Sequence, residues 1–282
     1  MFWDPPREVF MIPFLNRPLA WYGVLFALGV WLAFQVTLAI YRGVLMRSSV
    51  DIDRKEAKAQ SAKFCERLSL YVIIGTVLGA KIGHVLFYEP WAMIRSDPMM
   101  LIRVWEEGLA SHGAVIGIII ALLLFVRKTQ VNLIELIDYL AIPACIAATF
   151  IRLGNFVNQE ILGKVTSMPW GVTFGHPVDG SWPVPRHPVQ LYEAIFYALS
   201  ALVITLVWRK RPKRGLCAGL LFLLVFGFRF LIEFLKEPQS ALINAGAWLT
   251  MGQWLSLPFI GMGIVLMRRG VRSGAGSRAA SD

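Results

Sequence analysis

The sequence predicts an all-α integral membrane protein with seven transmembrane helices. Hydrophobic residues make up 56% of the 282 positions and charged residues only 16%, well below the roughly 25% that is usual in soluble domains. Seven apolar stretches approach the roughly 20 residues that an α-helix needs to cross a bilayer core. Ten tryptophans and seven tyrosines, many of them beside these stretches, fit aromatic belts at the membrane interfaces. These observations argue against a soluble enzyme.

Short charged or Pro/Gly-rich connections separate the apolar stretches and so define the spans. The predicted spans are 19–41, 68–88, 109–126, 133–151, 189–208, 216–235 and 251–267. The segment from Met1 to Pro6 lacks the basic region of a cleaved signal peptide, so we expect the first apolar stretch to remain as a span.

The connections have different characters. Residues 51–67 have mixed charge and helix-favouring side chains, which predicts a short surface helix. Residues 152–188 are rich in Gly and Pro, which predicts a periplasmic segment of loops and short strands between spans four and five. We expect residues 1–272 to form a single polytopic membrane domain with this segment inserted. Residues 273–282, rich in Gly, Ser and Ala, predict a mobile cytoplasmic tail.

The distribution of basic residues predicts the orientation. Of the 28 Lys and Arg residues, 18 lie on the side of the 42–67 loop and the C-terminus, and eight lie on the other side. Because cytoplasmic loops carry the basic excess, the N-terminus is predicted outside and the C-terminus in the cytoplasm. Topology and anionic inner-leaflet lipid account for the net charge of +10, so we expect no nucleic-acid partner.

Ionisable residues inside the spans are candidates for function, since a charge near the bilayer centre costs roughly 3 kcal/mol or more. Arg229 lies in span six, and Glu233 follows it at i+4 on the same helix face. The pair is either a buried structural ion pair or an anion-binding arginine that Glu233 holds in place. His112 begins span three, where it is either a structural group or a reactive one. Lys81 either snorkels outward or belongs to the same site.

The segment from Arg152 to Gly163 is the most informative part of the sequence. Arg152, Asn155 and Glu160 are close to one another in the sequence, and Gly154 allows the backbone to approach a ligand closely. Such a mixture predicts a hydrogen-bonded loop or re-entrant structure rather than a helix.

Polar residues from six helices or their caps are all predicted in the outer half of the membrane. They are Tyr22, Lys81, His84, His112, Arg152, Asn155, Glu160, His187, Arg229 and Glu233. Cationic groups at the headgroup level favour a phospholipid phosphate as ligand, because arginine binds phosphate bidentately.

At these motifs the chain resembles the prolipoprotein diacylglyceryl transferases, bacterial membrane enzymes of lipoprotein maturation. Residues 152–163 match the family pattern Arg-x-Gly-Asn-Phe-Ile/Val-Asn-x-Glu-x-x-Gly. Further family elements correspond to Trp21-Tyr22-Gly23, His112-Gly113, the run from His187 to Glu193, and the run from Arg229 to Glu233. The chain departs from the family pattern at several positions, among them Ala114, Ile151, Gln159 and Lys236.

The resemblance implies an enzyme of the bacterial inner membrane with its active site towards the outer leaflet. The implied reaction transfers the diacylglyceryl group of phosphatidylglycerol to the lipobox cysteine of a prolipoprotein signal peptide, which forms a thioether and releases glycerol phosphate. His112 is the candidate base for the thiol, and Arg152 and Arg229 the phosphate clamp. Asn155, Glu160, Glu233, Tyr22 and His187 are the further candidates for binding phosphatidylglycerol.

Two other functions are consistent with the same residues. An anionic-lipid transporter or flippase would use Arg152 and Arg229 to bind the headgroup without chemistry. The other alternative is a purely structural membrane scaffold, which Arg229 disfavours because a scaffold would have no need of it. No His, Cys or Glu spacing matches a metal-ligand set, so we expect neither a metal nor another cofactor. The apolar neighbours of Cys145 predict an inert packing residue, so no enzyme thiol is expected to react.

Overall fold

The computed structural model describes residues 1–13, 17–48, 52–104, 108, 110–237 and 248–278. The protein is mostly helical. Its helices are α1 (Trp21–Ser48), α2 (Arg54–Tyr88), α3 (Trp91–Ser96), α4 (Ser111–Thr129), α5 (Leu133–Val157), α6 (Val189–Arg209), α7 (Leu216–Leu221), α8 (Gly227–Ile232) and α9 (Met251–Arg278). A π-helical turn joins α7 to α8, a 3₁₀ turn follows α8, and another follows α3: Phe222–Phe226, Glu233–Leu235 and Pro98–Leu101.

Six helical stretches among the described residues are long and apolar enough to cross a membrane. They are α1, α2, α4, α5, α6 and the run Leu216–Leu235, and they coincide with the first six predicted spans. The chain is therefore a multi-pass helical membrane protein. The seventh predicted span is also helical, as the first part of α9, but α9 is not among these six. Polar residues such as Gln253 and Ser256 interrupt its apolar run.

The helices belong to two compact units. One contains residues 1–36 and 137–282, and the other contains residues 37–136. The first unit includes most of α5, all of α6 to α9 and the short strands. The second includes α2, α3 and α4.

Glycines allow α2 and α4 to pack closely within the second unit. Gly75, Gly79 and Gly83 of α2 face Gly113 and Gly117 of α4. A Cβ atom at Gly79 would lie 2.5 Å from the carbonyl oxygen of Gly113, and one at Gly83 would lie 2.6 Å from the Cα of Gly113. Small residues at every fourth position bring two membrane helices into backbone contact. A side chain at any of these glycines would therefore collide with the facing helix.

The predicted surface helix at 51–67 is continuous with span two. Helix α2 begins at Arg54, and the Asp53 side chain caps it by accepting a hydrogen bond from the backbone N–H of Glu56 at 2.7 Å. No Gly or Pro interrupts the sequence from Arg54 to Ile74, so nothing ends the helix before the membrane span begins.

The chain between α5 and α6 contains short strands that bind the N-terminus. Strand β1 (Phe2–Trp3) pairs in parallel with β4 (Val172–Phe174), and β4 pairs antiparallel with β5 (Pro185–Arg186). Strands β2 (Glu8–Ile12) and β3 (Arg17–Ala20) form a separate antiparallel pair. A small apolar cluster lies under the three-stranded sheet and contains Phe156, Leu162, Val172 and Phe174, with Trp3 and Leu191 packed against it.

A buried carboxylate joins α5 to the start of α7. Asp138 accepts hydrogen bonds from the backbone N–H groups of Gly215, at 2.6 Å, and of Ala218, at 2.7 Å. These N–H groups lie at the N-terminus of a helix, where a negative charge is favourable. The contact fixes the helix that leads to Arg229 against the helix that carries Arg152.

Helices α5 and α9 extend well beyond the ends predicted for spans four and seven. Residues 152–157 form the last turns of α5, not a loop, because Asn155 finds a side-chain partner there and Phe156 packs into the apolar cluster. Helix α9 continues to Arg278, so it includes the first part of the predicted mobile tail, and residues 279–282 lie outside the described residues.

Candidate active site

The polar residues of the 152–163 motif form a chain of hydrogen bonds at the C-terminal end of α5. Arg152 donates through Nη1 to Oδ1 of Asn155 at 3.3 Å, and Nδ2 of Asn155 donates to Oε1 of Glu160 at 2.8 Å. Asn158 approaches the same oxygen of Glu160 at 3.4 Å. Arg152 and Asn155 are on one helix face because they are three residues apart. The side-chain amide of Asn155 therefore connects the guanidinium of Arg152 to the carboxylate of Glu160.

The turn after α5 has a strained backbone. Gln159 and Ile161 have φ angles of 56° and 57°, in the left-handed region, which is uncommon for residues other than Gly, Asn and Asp. Gln190 donates through Nε2 to the carbonyl oxygen of Glu160 at 2.8 Å. Helix α6 thus supports the turn that presents Glu160.

Gln159 connects this turn to the N-terminal segment. Its side chain is fully buried, donates to Oδ1 of Asp4 at 3.1 Å, and accepts the backbone N–H of His176 at 2.8 Å. The imidazole of His176 approaches the same Asp4 oxygen at 2.8 Å. The hydrogen bonds from His176 and then Gln159 lower the pKa of Asp4 below the usual value. At Gln159 the chain departs from the family pattern, and the structure shows that this residue fixes the N-terminus.

Tyr22 lies against the same end of α5. A Cβ atom at Gly154 would lie 2.8 Å from Cδ2 of the Tyr22 ring. The glycine therefore makes room for an aromatic ring of α1. The sequence predicts that a ligand approaches the backbone at Gly154, and in the structure the Tyr22 ring makes that close approach.

Glu193 is the centre of the buried charge network. Its side chain in α6 is fully buried. Its Oε2 forms an ion pair with Nε of Arg152 at 3.1 Å, and its Oε1 accepts from Nζ of Lys236 at 3.0 Å and from the hydroxyl of Tyr197 at 3.1 Å. One carboxylate thus joins the cations of two separate segments. A buried charge with such partners is held in one position, because any other position would leave it without compensation.

Lys236 is placed by the backbone around it. It follows the 3₁₀ turn and forms an isolated bridge with Gly163, and Glu237 donates its N–H to the carbonyl oxygen of Leu162 at 3.0 Å. Burial lowers the pKa of Lys236, the Glu193 carboxylate opposes this shift, and the charges of Arg152 and Arg229 add to it. The cations of α5, α8 and the segment after the 3₁₀ turn therefore act on one another.

Arg229 is half-buried near the end of α8, and within the described residues its guanidinium has no hydrogen bond or ion pair. The expected pair with Glu233 is not formed. Glu233 instead accepts from Thr250 at 3.0 Å and lies 3.8 Å from Nζ of Lys236. The physical reason is the 3₁₀ turn at Glu233–Leu235, because its three-residue repeat directs Glu233 towards i+3 and away from Arg229.

His187 lies just before α6, next to Gly163 of the 152–163 motif. Its Nδ1 is 3.4 Å from the hydroxyl of Tyr192, and that hydroxyl also accepts from the indole N–H of Trp170 at 2.7 Å. The backbone N–H of His187 donates to the carbonyl oxygen of Lys164 at 3.0 Å. His187 is thus in the same unit as Arg152.

His112 lies in the other compact unit, in the first turn of α4. Its side chain is exposed, and its ring centroid is 5.2 Å from that of Phe87 and 5.8 Å from that of Tyr88. Tyr88 also stacks on His84, whose Nε2 is 3.4 Å from Glu89. Lys81, which is in α2 with His84 and Tyr88, is buried and does not snorkel to the surface.

Two residues of the network were not predicted as site residues. In the sequence Glu193 is only the last residue of the family element that starts at His187, and Lys236 is only a departure from the family pattern. A signal for Glu193 was present, since a carboxylate inside an apolar helix is costly and needs a cation. No comparable signal existed for Lys236, whose partner is 43 residues away in the sequence. Within the described residues, no group of three His, Cys, Asp or Glu side chains is placed to hold a metal ion.

Comparisons with known proteins identify the family. A model of the prolipoprotein diacylglyceryl transferase family matches residues 9–269. The chain is 42% identical over 270 residues to the phosphatidylglycerol–prolipoprotein diacylglyceryl transferase of Tolumonas auensis, covering 95% of this chain and 96% of that protein. Proteins of the same name are 40% identical in Methylococcus capsulatus (93% of this chain and 95% of that protein) and 39% identical in Bacteroides fragilis (94% and 93%). With nearly its whole length matched, this chain belongs to the prolipoprotein diacylglyceryl transferase family.

Proposed function

We propose that this protein transfers the diacylglyceryl group of phosphatidylglycerol to the thiol of a prolipoprotein cysteine. Membership of the family supports the reaction. The structural observation that carries the proposal is the network in which Glu193 joins Arg152 to Lys236, with Arg229 close enough for its charge to act on Lys236. Three cations at the ends of membrane helices provide a site for a lipid phosphate.

The chemistry is a substitution at carbon. The cysteine sulfur forms a bond to the terminal glycerol carbon of the diacylglyceryl group, the bond from that carbon to the phosphate oxygen breaks, and glycerol phosphate leaves with the electron pair. The thiol proton goes to a base, for which His112 is the candidate. A free thiol has a pKa of about 8.5 and is mostly protonated at neutral pH, so a positioned base accelerates the attack, roughly 10²- to 10⁴-fold for such catalysis in general.

Arg152 and Arg229 have the role of the phosphate clamp. Negative charge grows on the departing phosphate oxygens, and cations in a water-poor site stabilise that charge strongly. Arg152 is held by Glu193 and Asn155, so its position is fixed before the lipid arrives. Arg229 has no carboxylate partner within the described residues, which leaves its planar fork available for phosphate. Glu160 is joined to Arg152 through Asn155, and Tyr22 lies against Gly154, so both can orient the lipid.

We further propose seven spans, with α9 as the seventh, an outside N-terminus and a cytoplasmic C-terminus. The excess of Lys and Arg on one side of the membrane supports this orientation. In this topology residues 1–272 act as one polytopic membrane domain, 152–188 is periplasmic, and the active site faces the outer leaflet of the inner membrane. The acceptor is then a prolipoprotein signal peptide that presents its lipobox cysteine on that side.

The direct test uses the purified protein in detergent with phosphatidylglycerol and a synthetic lipobox peptide. We expect mass spectrometry to detect the peptide with one added diacylglyceryl group, and free glycerol phosphate in equal amount. The matched control is the same peptide with serine in place of cysteine, which should remain unmodified. Lipid binding without an adduct would contradict the proposal and favour a transport function.

A further inference from the structure

A positively charged pocket lies between the end of α1 and the beginning of α2. Its volume is about 390 Å³. It is lined by Ala39, Arg42, Gly43 and Met46 of α1 and by Arg54 and Lys58 of α2. The α1 residues are at i, i+3, i+4 and i+7, so they form one face of that helix. All six residues belong to the compact unit 37–136, and none belongs to the candidate active site.

The charges of the pocket are not compensated by its lining. Arg42, Arg54 and Lys58 line it without any carboxylate, and no hydrogen bond or ion pair joins these three side chains to another described residue. Two acidic residues close to Arg54 and Lys58 in the sequence have local partners: Asp53 accepts the N–H of Glu56, and Glu56 accepts from Gln60 at 3.0 Å. Three cations around one small volume repel one another, so an anion bound between them is favourable.

The position of the pocket along α1 indicates the kind of anion. The first charged residue of α1 is Arg42, because residues 21–41 contain no Asp, Glu, Lys or Arg. The pocket therefore lies where an apolar stretch of about membrane length ends, at the level of lipid headgroups. Ala39 and Met46 are exposed on the same face as Arg42, so an acyl chain can lie beside the helix while its phosphate meets the three cations.

We propose that this pocket binds the phosphate headgroup of an anionic phospholipid. Arg42 and Arg54 have the planar forks that bind phosphate oxygens bidentately, and Lys58 adds a third positive charge. Gly43 leaves the α1 side of the pocket without a side chain, which makes room for the headgroup. The site does not depend on the proposed reaction, because its residues are separate from Arg152, Arg229 and their partners.

The test is lipid binding by the full-length protein, delipidated in a neutral detergent. The probes are dioleoyl phosphatidic acid, dioleoyl phosphatidylcholine and inorganic phosphate. Bound lipids are counted by native mass spectrometry, and residues 37–60 are followed by hydrogen exchange. We expect phosphatidic acid to bind and to protect this segment, while phosphatidylcholine and inorganic phosphate do neither at the same concentration.

Variants then locate the site. The triple substitution Arg42→Gln, Arg54→Gln, Lys58→Gln should remove one bound phosphatidic acid and abolish the protection of residues 37–60. A juxtamembrane basic residue contributes about fivefold to anionic-lipid binding, so the three together should weaken it roughly 100-fold. The matched control removes three exposed charges outside the pocket, with Arg209→Gln, Lys210→Gln and Arg211→Gln, and should keep the protection of residues 37–60 by phosphatidic acid.

Three results would overturn the proposal: equal lipid binding by the triple variant, equal protection by inorganic phosphate, or equal binding of phosphatidylcholine. The second result would indicate a site for soluble anions, and the third a site for acyl chains alone. If the triple variant does not fold, the single substitutions Arg42→Gln and Lys58→Gln decide the question, since each should weaken binding about fivefold.

Discussion

Replacing Glu193 by glutamine tests whether the buried network positions the phosphate clamp. The substitution keeps the size of the side chain and removes its charge. Glu193 is fully buried and holds Nε of Arg152 at 3.1 Å and Nζ of Lys236 at 3.0 Å, so both cations lose their main partner. Breaking a buried ion pair on one side costs about 3–5 kcal/mol.

The structure places the expected loss at the lower end of this range. Arg152 keeps the amide oxygen of Asn155 at 3.3 Å, and Lys236 keeps Glu233 at 3.8 Å. We therefore expect Glu193→Gln to lose about 3 kcal/mol. If that loss falls on the placement of Arg152 in the transition state, the rate decreases by about two orders of magnitude, since each 1.4 kcal/mol is tenfold.

The assay measures kcat and KM for transfer to a lipobox peptide, together with thermal unfolding in detergent. A clamp out of position should lower kcat more than it raises the KM for phosphatidylglycerol. The matched control is Glu66→Gln, which removes the same charge from an exposed position of α2 and should change stability by less than about 0.5 kcal/mol. A Glu193→Gln protein that is less stable but keeps its kcat would show that the network only supports the fold. Unchanged kcat and stability would show that Glu193 neither positions Arg152 nor stabilises the fold.

Substitutions at four other positions test the remaining parts of the structure. Arg229→Lys should lose most activity, measured as peptide adduct, because an ammonium cannot replace a planar fork; near-normal turnover would show that only charge is needed. His112→Asn should lower the rate strongly near pH 7 and recover in part as the pH approaches the thiol pKa, whereas a loss that is constant from about pH 7 to 9 would favour a positional role. Gly79→Ala should destabilise the α2–α4 contact by about 1–3 kcal/mol in thermal unfolding, while Gly261→Ala, where a Cβ meets nothing within 4 Å, should be neutral or slightly stabilising. Because the pKa of Asp4 is lowered in the folded protein, its hydrogen bonds should protect the N-terminal segment from hydrogen exchange above about pH 4, and this protection should be lost as the pH falls through the lowered pKa; Asp4→Asn should abolish that dependence, and an equal loss of protection at low pH in Asp4→Asn would contradict it.

The spans could be predicted from the sequence because they depend on local composition. Six predicted spans are confirmed as apolar helices, and the run from 216 to 235 has the predicted bounds. A bilayer requires about 20 apolar residues in a row, and that requirement is visible without any knowledge of contacts. The predicted end of span four, at residue 151, was wrong because the end of α5 depends on contacts that are distant from local composition. Gly and Asn are poor helix formers, but tertiary packing of Phe156 and the partner of Asn155 extend α5 to Val157.

The family was also determined by the sequence, since its motifs are runs of neighbouring residues. The contacts between these motifs could not be predicted from the sequence. The helical repeat predicted that Glu233 pairs with Arg229, but a local 3₁₀ turn gives Glu233 to Lys236 and Thr250. Nothing along the chain relates Glu193 to Lys236, yet they are 3.0 Å apart.

Local composition and neighbouring motifs therefore predicted which stretches are apolar enough to cross a membrane, which family the chain belongs to, and which segments carry its polar residues. The partners of those polar residues depend on how the helices pack. The physical reason is that burial in a membrane makes a charged side chain pair with whichever opposite charge the packing of other helices brings near. That choice is made by the packing of α5 and α6 and by the segment after α8, which place Arg152 and Lys236 on the two oxygens of Glu193.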